Sequence, residues 1–162
     1  RTGFQKETKD QYVTKNNIEE PEIKTPQLKE NEKKLETIYK QVPHFDHKVF
    51  LEGAKKAFEI IISAYNRGDK KTLKNLVAKD VYSAFEEAID SGSNNPNSQF
   101  YSLIINKIDD AKIENEKIII AVNFISEQIL SDNEEEKIKN KDTWVFEKLK
   151  SSSSPSWTLI ST

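Results

Sequence analysis

The sequence predicts an α+β domain in which three N-terminal helices pack on one face of a four-stranded antiparallel sheet. After Pro43, apolar residues recur at helical spacing as far as about Ile89. A loop rich in turn-forming residues follows, and from Gln99 onward apolar and polar residues alternate in four segments at hairpin spacing. Helices followed by strands favour one helical layer on one face of an antiparallel sheet.

The first predicted helix runs from Asp46 to about Asn66. Asp46 suits an N-cap, and Gly68 is a natural C-terminal stop. At about 100° per residue, one face of this helix collects Phe50, Ala54, Ala57, Phe58, Ile61 and Tyr65. So wide an apolar arc predicts contact with more than one neighbouring element.

Two shorter helices and a loop complete the helical half. Asp69 is predicted to cap a helix that carries Leu73 and Leu76. A third helix begins at about Asp80 and stops at Gly92, and its apolar face contains Val81, Phe85, Ala88 and Ile89. Residues 91–98 supply glycine, asparagine and proline, which are typical of turns.

The second half has the period of strands. The predicted strands span residues 99–113, 117–130, 141–150 and 156–161. The acidic residues 132–136 are predicted to form a hairpin turn between the second and third strands. We found no internal repeat.

Residues 1–42 are predicted to form a charged arm outside the domain, which spans 43–162. Large apolar residues are sparse there, so the arm should be extended or disordered in isolation. Residues 27–41 could form a helix with Leu28, Leu35, Ile38 and Tyr39 near one face. An ordered arm of this composition would need a surface to pack against. That surface would belong either to its own domain or to a second copy of the chain, and the second alternative implies self-association.

Composition argues against several classes of function. Among 162 residues there is no cysteine, which excludes a disulfide framework, a thiolate nucleophile and a cysteine-based zinc site. The net charge of −2, with Arg1 and Arg67 as the sole arginines, argues against nucleic-acid binding. With four glycines and no phosphate-binding loop, nucleophile elbow or HExxH motif, we predict neither enzymatic activity nor a cofactor.

The two histidines, His44 and His47, flank Asp46 and raise the alternatives of a metal site or an acid–base pair. Because both lie at the entry to the domain, with no cysteine and no further histidine, we predict a surface or capping role. The acidic pair at 109–110 and the three glutamates at 134–136 lack the glycine and spaced oxygens of a calcium loop, so solvated turns are favoured there. No metal site is predicted.

The chain resembles the Tim44-like domain family over residues 43–162. The resemblance is carried by Phe50-Leu51-Glu52-Gly53-Ala54, by residues 81–85 (Val-Tyr-Ser-Ala-Phe), by residues 142–147 (Asp-Thr-Trp-Val-Phe-Glu) and by residues 155–159 (Pro-Ser-Trp-Thr-Leu). The family includes the membrane-anchor adaptor of the mitochondrial inner-membrane import motor and its bacterial relatives.

The resemblance implies a cone-shaped fold similar to nuclear transport factor two and a peripheral or single-pass place at an inner membrane. It implies affinity for anionic lipids such as cardiolipin, protein partners that are held in position, and no catalytic residues. Because the chain has no methionine and begins Arg1-Thr2-Gly3, we expect a fragment whose membrane anchor is encoded upstream. The domain would then face the cytoplasm or its matrix equivalent.

The first candidate site is a basic surface on the helices. From residue 46 to 79, eight basic residues oppose four acids, a balance of +4, whereas from residue 80 onward eight lysines oppose fifteen acids, a balance of −7. Such asymmetry would turn one end of the domain toward anionic lipid. The candidate contacts are Lys48, Lys55, Lys56, Arg67, Lys70, Lys71 and Lys74. A solvated helix face is the alternative.

The second candidate site is a hydrophobic pocket between helices and sheet. Its predicted lining is Phe58, Tyr65, Phe85, Tyr101, Phe124, Trp144 and Trp157. Such a pocket would accept an acyl chain or a partner's apolar side chain, although ordinary core packing explains the same aromatics. The predicted function is therefore a non-enzymatic membrane-associated adaptor in protein translocation or membrane-complex assembly. The alternatives are a hydrophobic-ligand-binding or catalytic cone domain, and an assembly module.

Overall fold

The computed structural model of the protein describes residues 25–130 and 136–162 and places a helical layer on one face of an antiparallel sheet. A 3₁₀ segment, Glu30–Leu35, leads into the helices α1 (Glu36–Gln41), α2 (His47–Arg67), α3 (Lys70–Leu76) and α4 (Lys79–Asp90). The strands are β1 (Gln99–Glu114), β2 (Lys117–Ile129), β3 (Lys137–Leu149) and β4 (Thr158–Ser161). The predicted α+β class is confirmed, and the 3₁₀ segment and α1 lie within residues 27–41, where the sequence predicted a possible helix.

The long helix α2 is bounded by the two residues that the sequence predicted. The Asp46 carboxylate accepts hydrogen bonds from the backbone N–H of Lys48 at 3.0 Å and of Val49 at 3.2 Å. At the other end Gly68 adopts a left-handed conformation with φ of 73°, and its N–H donates to the Tyr65 carbonyl. The unpaired groups of both helix ends are therefore satisfied locally.

Asp69 caps α3 in the same way. Its carboxylate accepts hydrogen bonds from the Thr72 hydroxyl at 2.7 Å and from the Thr72 backbone N–H at 3.1 Å. These bonds favour the ionised form and hold the pKa of the Asp69 carboxyl below its usual value. The turn between α2 and α3 is thus fixed by two adjacent residues.

The four strands lie in the order β1-β2-β3-β4, and all neighbours are antiparallel. Register shifts interrupt the β1–β2 ladder at three places, between Phe100 and Ser102, between Ile105 and Lys107, and between Ile108 and Asp110. Bulges of this kind bend a strand and increase its twist, so they curve the sheet around the helices.

Two strand boundaries differ from the prediction. β3 begins at Lys137, earlier than the predicted residue 141, because it pairs with β2 from Ile129↔Lys137 onward. Residues 137–141 are almost entirely polar, so no apolar alternation reveals them as a strand. β4 begins at Thr158, later than the predicted residue 156.

The segment assigned to the arm contributes to the core. Leu28, Leu35, Ile38 and Tyr39 are buried in the same apolar cluster as α2 and the sheet. Two hydrogen bonds fix this segment to β1, from Asn31 Nδ2 to the Asn106 carbonyl at 2.9 Å and from Lys34 Nζ to the Asp109 carbonyl at 2.7 Å. The predicted domain boundary at residue 43 therefore falls inside the packed unit. The segment before residue 43 has too few apolar residues to form a core of its own, but these residues add to the core of the domain.

Some predictions lie outside the described residues. These are the arm over residues 1–24 and most of the acidic turn at 132–136, including the calcium alternative at 134–135. Among the residues that are described, no helix has both the length and the apolar character needed to cross a membrane.

Candidate functional site

The outward side of α2 carries lysines and exposed aliphatic residues on one surface. Lys48, Lys55 and Lys56 are exposed, and the last two follow Lys48 by seven and eight residues, which places all three on one side of the helix. Beside Lys56 on the helix surface, Val49 is 60% exposed and Ile60 is 41% exposed. We call these five residues the α2 outer face. None of the three lysines forms an ion pair with another residue in the described part of the chain.

Two acidic residues share this side of the helix. Glu52 and Glu59 are exposed at positions that alternate with the lysines. Three lysines against two glutamates leave a local balance of +1. The electrostatic attraction of this surface for an anion is therefore modest, and its exposed aliphatic side chains have to supply part of any binding energy.

The seven basic residues predicted to contact lipid differ in their surroundings. Arg67 pairs with Asp69 at 3.3 Å, and Lys70 pairs with Asp90 at 2.6 Å. The hydrogen bond that the Lys70 ammonium donates to the Asp90 carboxylate raises the pKa of Lys70. These two cations are neutralised by acids within the domain. Lys71 and Lys74 remain exposed on α3, and the other three lie on the α2 outer face.

An apolar groove borders the α2 outer face. It has a volume of about 190 Å³ and lies between α2 and the loop that precedes β4. Ala57, Ile60, Leu76, Pro155 and Trp157 contribute to its lining, and Lys56 lies at the same groove. We call it the Trp157 groove. Because Lys56 and Ile60 belong to both features, the α2 outer face and the Trp157 groove form one continuous surface.

Trp157 is held by contacts on both sides of its ring. The Phe50 ring packs against it with a centroid separation of 4.7 Å, and Lys148 Nζ lies 5.3 Å from its centroid. Lys148 Nζ also donates to the Ser154 carbonyl at 3.0 Å, which ties the loop to β3. The groove wall is therefore anchored to the core.

Most of the aromatic residues that were predicted to line a pocket pack between secondary-structure elements. Phe58, Phe124 and Trp144 are buried, and the Phe58 ring lies 4.5 Å from Phe124 and 4.3 Å from Trp144 between centroids. Tyr65 and Phe85 pair at 5.4 Å. These five residues fill space between elements and do not border a common cavity in the described structure.

The other two predicted pocket residues lie far from that packing. Tyr101 is 56% exposed, and Lys137 Nζ sits 3.7 Å from its ring centroid. Trp157 alone among the seven predicted aromatics lines the Trp157 groove. The structure therefore does not bring the seven side chains together in the part of the chain that it describes.

A buried polar cluster joins α1 to the start of α2. His47 is 4% exposed, and its Nδ1 is 2.8 Å from the Tyr39 hydroxyl. The same hydroxyl accepts a hydrogen bond from the His47 backbone N–H at 2.9 Å, and Glu32 Oε1 lies 3.7 Å from His47 Nε2. Burial raises the pKa of the Tyr39 phenol. The prediction of a surface role for His47 was wrong, because the folded-back arm covers it, whereas His44 is exposed.

The sequence contained only a weak signal for this cluster. Tyr39 lies on the apolar side of the predicted arm helix, and a proline at position 43 allows the chain to turn back toward His47. The described residues contain no group of three or more histidine, aspartate or glutamate side chains that could hold a metal ion. The cluster of Tyr39, His47 and Glu32 therefore connects α1 and the 3₁₀ segment to the start of α2 by polar contacts.

Replacing Tyr39 by phenylalanine is expected to destabilise the domain by about 1–3 kcal/mol, because the His47 N–H and Nδ1 would lose a buried partner. Urea unfolding measures this change in the free energy of unfolding. Tyr101→Phe is the matched control, since its hydroxyl belongs to an exposed side chain. Equal effects of the two substitutions would contradict the structural role of the Tyr39 hydroxyl.

The chain is similar to a known domain family and to two solved structures. The model of the Tim44-like domain family matches residues 31–162. The crystal structure of the intermembrane space region of the chloroplast protein ARC6 is similar with a TM-score of 0.43 and 10% identity, over 73% of this chain and 95% of that chain. An NTF2-like protein of unknown function from Prochlorococcus marinus has a TM-score of 0.37 and 15% identity, over 72% of this chain and 89% of that chain. No curated protein matches the chain.

Proposed function

The chain belongs to the Tim44-like domain family, and on that premise we propose that it is a non-enzymatic adaptor that contacts an anionic inner membrane and positions partner proteins there. The domain would face the cytoplasm or its matrix equivalent, in protein translocation or in the assembly of membrane complexes. The observation that carries the proposal is the continuous surface made by the α2 outer face and the Trp157 groove.

This surface combines the two features that interfacial binding requires. Exposed Val49 and Ile60 can enter the boundary between headgroups and acyl chains, while Lys55 and Lys56 remain near phosphate. Trp157 adds an aromatic ring of the kind that is enriched at membrane interfaces. Exposed apolar residues next to lysine therefore favour a lipid surface over bulk water.

The expected affinity of this contact is low. A basic residue near an anionic membrane contributes about 1 kcal/mol, and the local balance on this side of α2 is +1. Stable attachment usually needs two signals. The surface would therefore orient the domain on the membrane, and a further attachment would hold it there.

The dimensions of the Trp157 groove weigh against this groove as a site for a complete small-molecule ligand. Small-molecule sites usually measure roughly 300–1,000 Å³ and bury most of their ligand. The Trp157 groove, at about 190 Å³, is smaller. It fits one apolar side chain or the end of an acyl chain better than a complete metabolite.

Flotation with lipid vesicles tests the membrane contact. We expect binding to cardiolipin-containing vesicles at low salt, weaker binding at high salt, and none to neutral vesicles. Lys55→Glu combined with Lys56→Glu changes the local balance from +1 to −3, so we expect binding to fall about tenfold or more.

The matched control is Lys139→Glu combined with Lys141→Glu, which changes net charge equally on β3. This control should retain most of the binding. Equal losses in both double variants would show that net charge alone matters, and the α2 outer face would then have no special part. Binding to neutral vesicles at high salt would contradict an anionic-lipid contact.

A further inference from the structure

One half of β3 lies at an open edge of the sheet. β4 pairs with β3 at Val145, Phe146 and Glu147. Residues 137–143 pair with β2 on one side, and on the other side no described strand adjoins them. Residues 137–142 are all exposed. An edge of this kind presents backbone groups that can pair with an added strand.

The ladder with β2 sets which backbone groups point outward. The Leu130 N–H donates to the Glu136 carbonyl at 3.5 Å, and partners in an antiparallel ladder alternate between bonded and non-bonded pairs. The backbone groups of Lys137, Lys139 and Lys141 therefore point away from β2. Their side chains share one face because they alternate with Ile138 and Asn140.

The edge is cationic and largely free of internal ion pairing. Lys139 lies opposite Glu127, but the Glu127 carboxylate already accepts a hydrogen bond from the Ser102 hydroxyl at 2.8 Å. Lys141 lies opposite the apolar Ile125. Lys139 and Lys141 form no ion pair within the described residues. Asp142, the acid next along the strand, projects to the opposite face.

A shallow depression lies at the same edge. It has a volume of about 240 Å³ and is lined by Ile125, Lys139, Asn140 and Lys141. An apolar floor flanked by two ammonium groups suits a side chain that combines methylene carbons with a carboxylate. Glutamate has that chemistry.

We propose that residues 137–143 of β3 receive an extended acidic segment of a partner protein as a fifth strand. The partner's backbone pairs with the outward groups of Lys137, Lys139 and Lys141, and its alternate carboxylates face the lysine side chains. A second copy of this chain is a poor occupant, because pairing of two such edges would bring lysines together. The inference concerns a protein partner and does not depend on lipid contact.

Fluorescence polarisation with a labelled peptide tests the proposal without membranes. The probe alternates glutamate with threonine over about eight residues, the length of an ordinary strand. We expect saturable binding at peptide concentrations below about 1 mM. Two comparison peptides either replace glutamate by lysine or carry N-methylated backbone nitrogens at every position. Neither should bind, because the first loses the complementary charge and the second loses the backbone N–H donors that pair with β3.

Variants of the protein separate backbone pairing from charge. Lys139→Gln removes the charge and keeps the N–H, so we expect binding to weaken about threefold. Lys139→Pro also removes the outward N–H, which an edge strand tolerates, and should weaken binding by about tenfold or more. Lys112→Gln on β1 is the control and should leave binding unchanged. Circular dichroism verifies that each variant is folded.

Three outcomes would overturn the inference. These are no binding of the glutamate–threonine peptide, equal binding of the N-methylated peptide, and equal affinities of the Lys139→Gln and Lys139→Pro variants. None of them bears on vesicle flotation, so failure of the edge-strand inference and failure of the membrane proposal are distinguishable.

Discussion

Phe58→Ala is expected to destabilise the domain by about 3–5 kcal/mol, the usual cost of removing a large aromatic side chain from a packed core. Phe58 is 1% exposed and lies where α2 meets the sheet. Its ring packs against Phe124 at 4.5 Å and Trp144 at 4.3 Å between centroids. Alanine would remove these contacts and leave a cavity that the rigid neighbouring rings cannot close. Urea unfolding followed by circular dichroism measures the loss.

The matched control for this substitution lies on the same helix. Val49 faces outward and is largely exposed, so Val49→Ala should change stability by no more than about 0.5 kcal/mol. A small effect of Phe58→Ala would mean that the three rings border an accessible pocket, which is the second candidate site that the sequence suggested. The experiment therefore decides between core packing and a ligand-binding cavity.

Leu35→Ala is expected to destabilise the domain by about 2–5 kcal/mol, although the residue lies in the segment that the sequence assigns to an arm. Leu35 is completely buried, and it ends the 3₁₀ segment that packs against β1. Removal of its side chain would leave a cavity between that segment and the core. The same urea experiment measures the change.

Thr37→Ala is the control, because Thr37 is exposed on α1 within the same segment. If both substitutions have negligible effects, residues 28–41 are not part of the cooperative unit, and the domain begins near residue 43 as predicted. If Leu35→Ala alone is destabilising, fragments that start at residue 43 will lack part of the core. Such fragments are then expected to unfold at lower urea concentrations than the full chain.

The sequence predicted those elements that local chemistry encodes. Asp46, Asp69 and Gly68 mark helix ends because capping depends on residues within one turn of the boundary. Apolar alternation located β2, where one face is buried from Ile118 to Ser126. The family resemblance was also confirmed, although the match begins at residue 31 and not at 43.

The candidate site was less predictable, because side chains on a helix compete for partners that are distant in sequence. Lys55 and Lys70 look equivalent in the sequence, yet Lys70 is paired with Asp90 of α4 while Lys55 has no such partner among the described residues. The Trp157 groove likewise needs α2 and the loop before β4 to meet. The sequence pattern around each residue does not indicate which distant residues it will contact.

The sequence by itself determined the order and type of the elements, their caps and the family, because these depend on neighbours along the chain. The tertiary structure alone decided that the arm completes the core, that His47 is buried and that half of β3 is left at an open edge. Each of these depends on contacts across long sequence distances, such as the hydrogen bond from Asn31 to Asn106. Burial of a few scattered apolar residues is favourable only when a complementary surface already exists, and here β1 and α2 provide that surface.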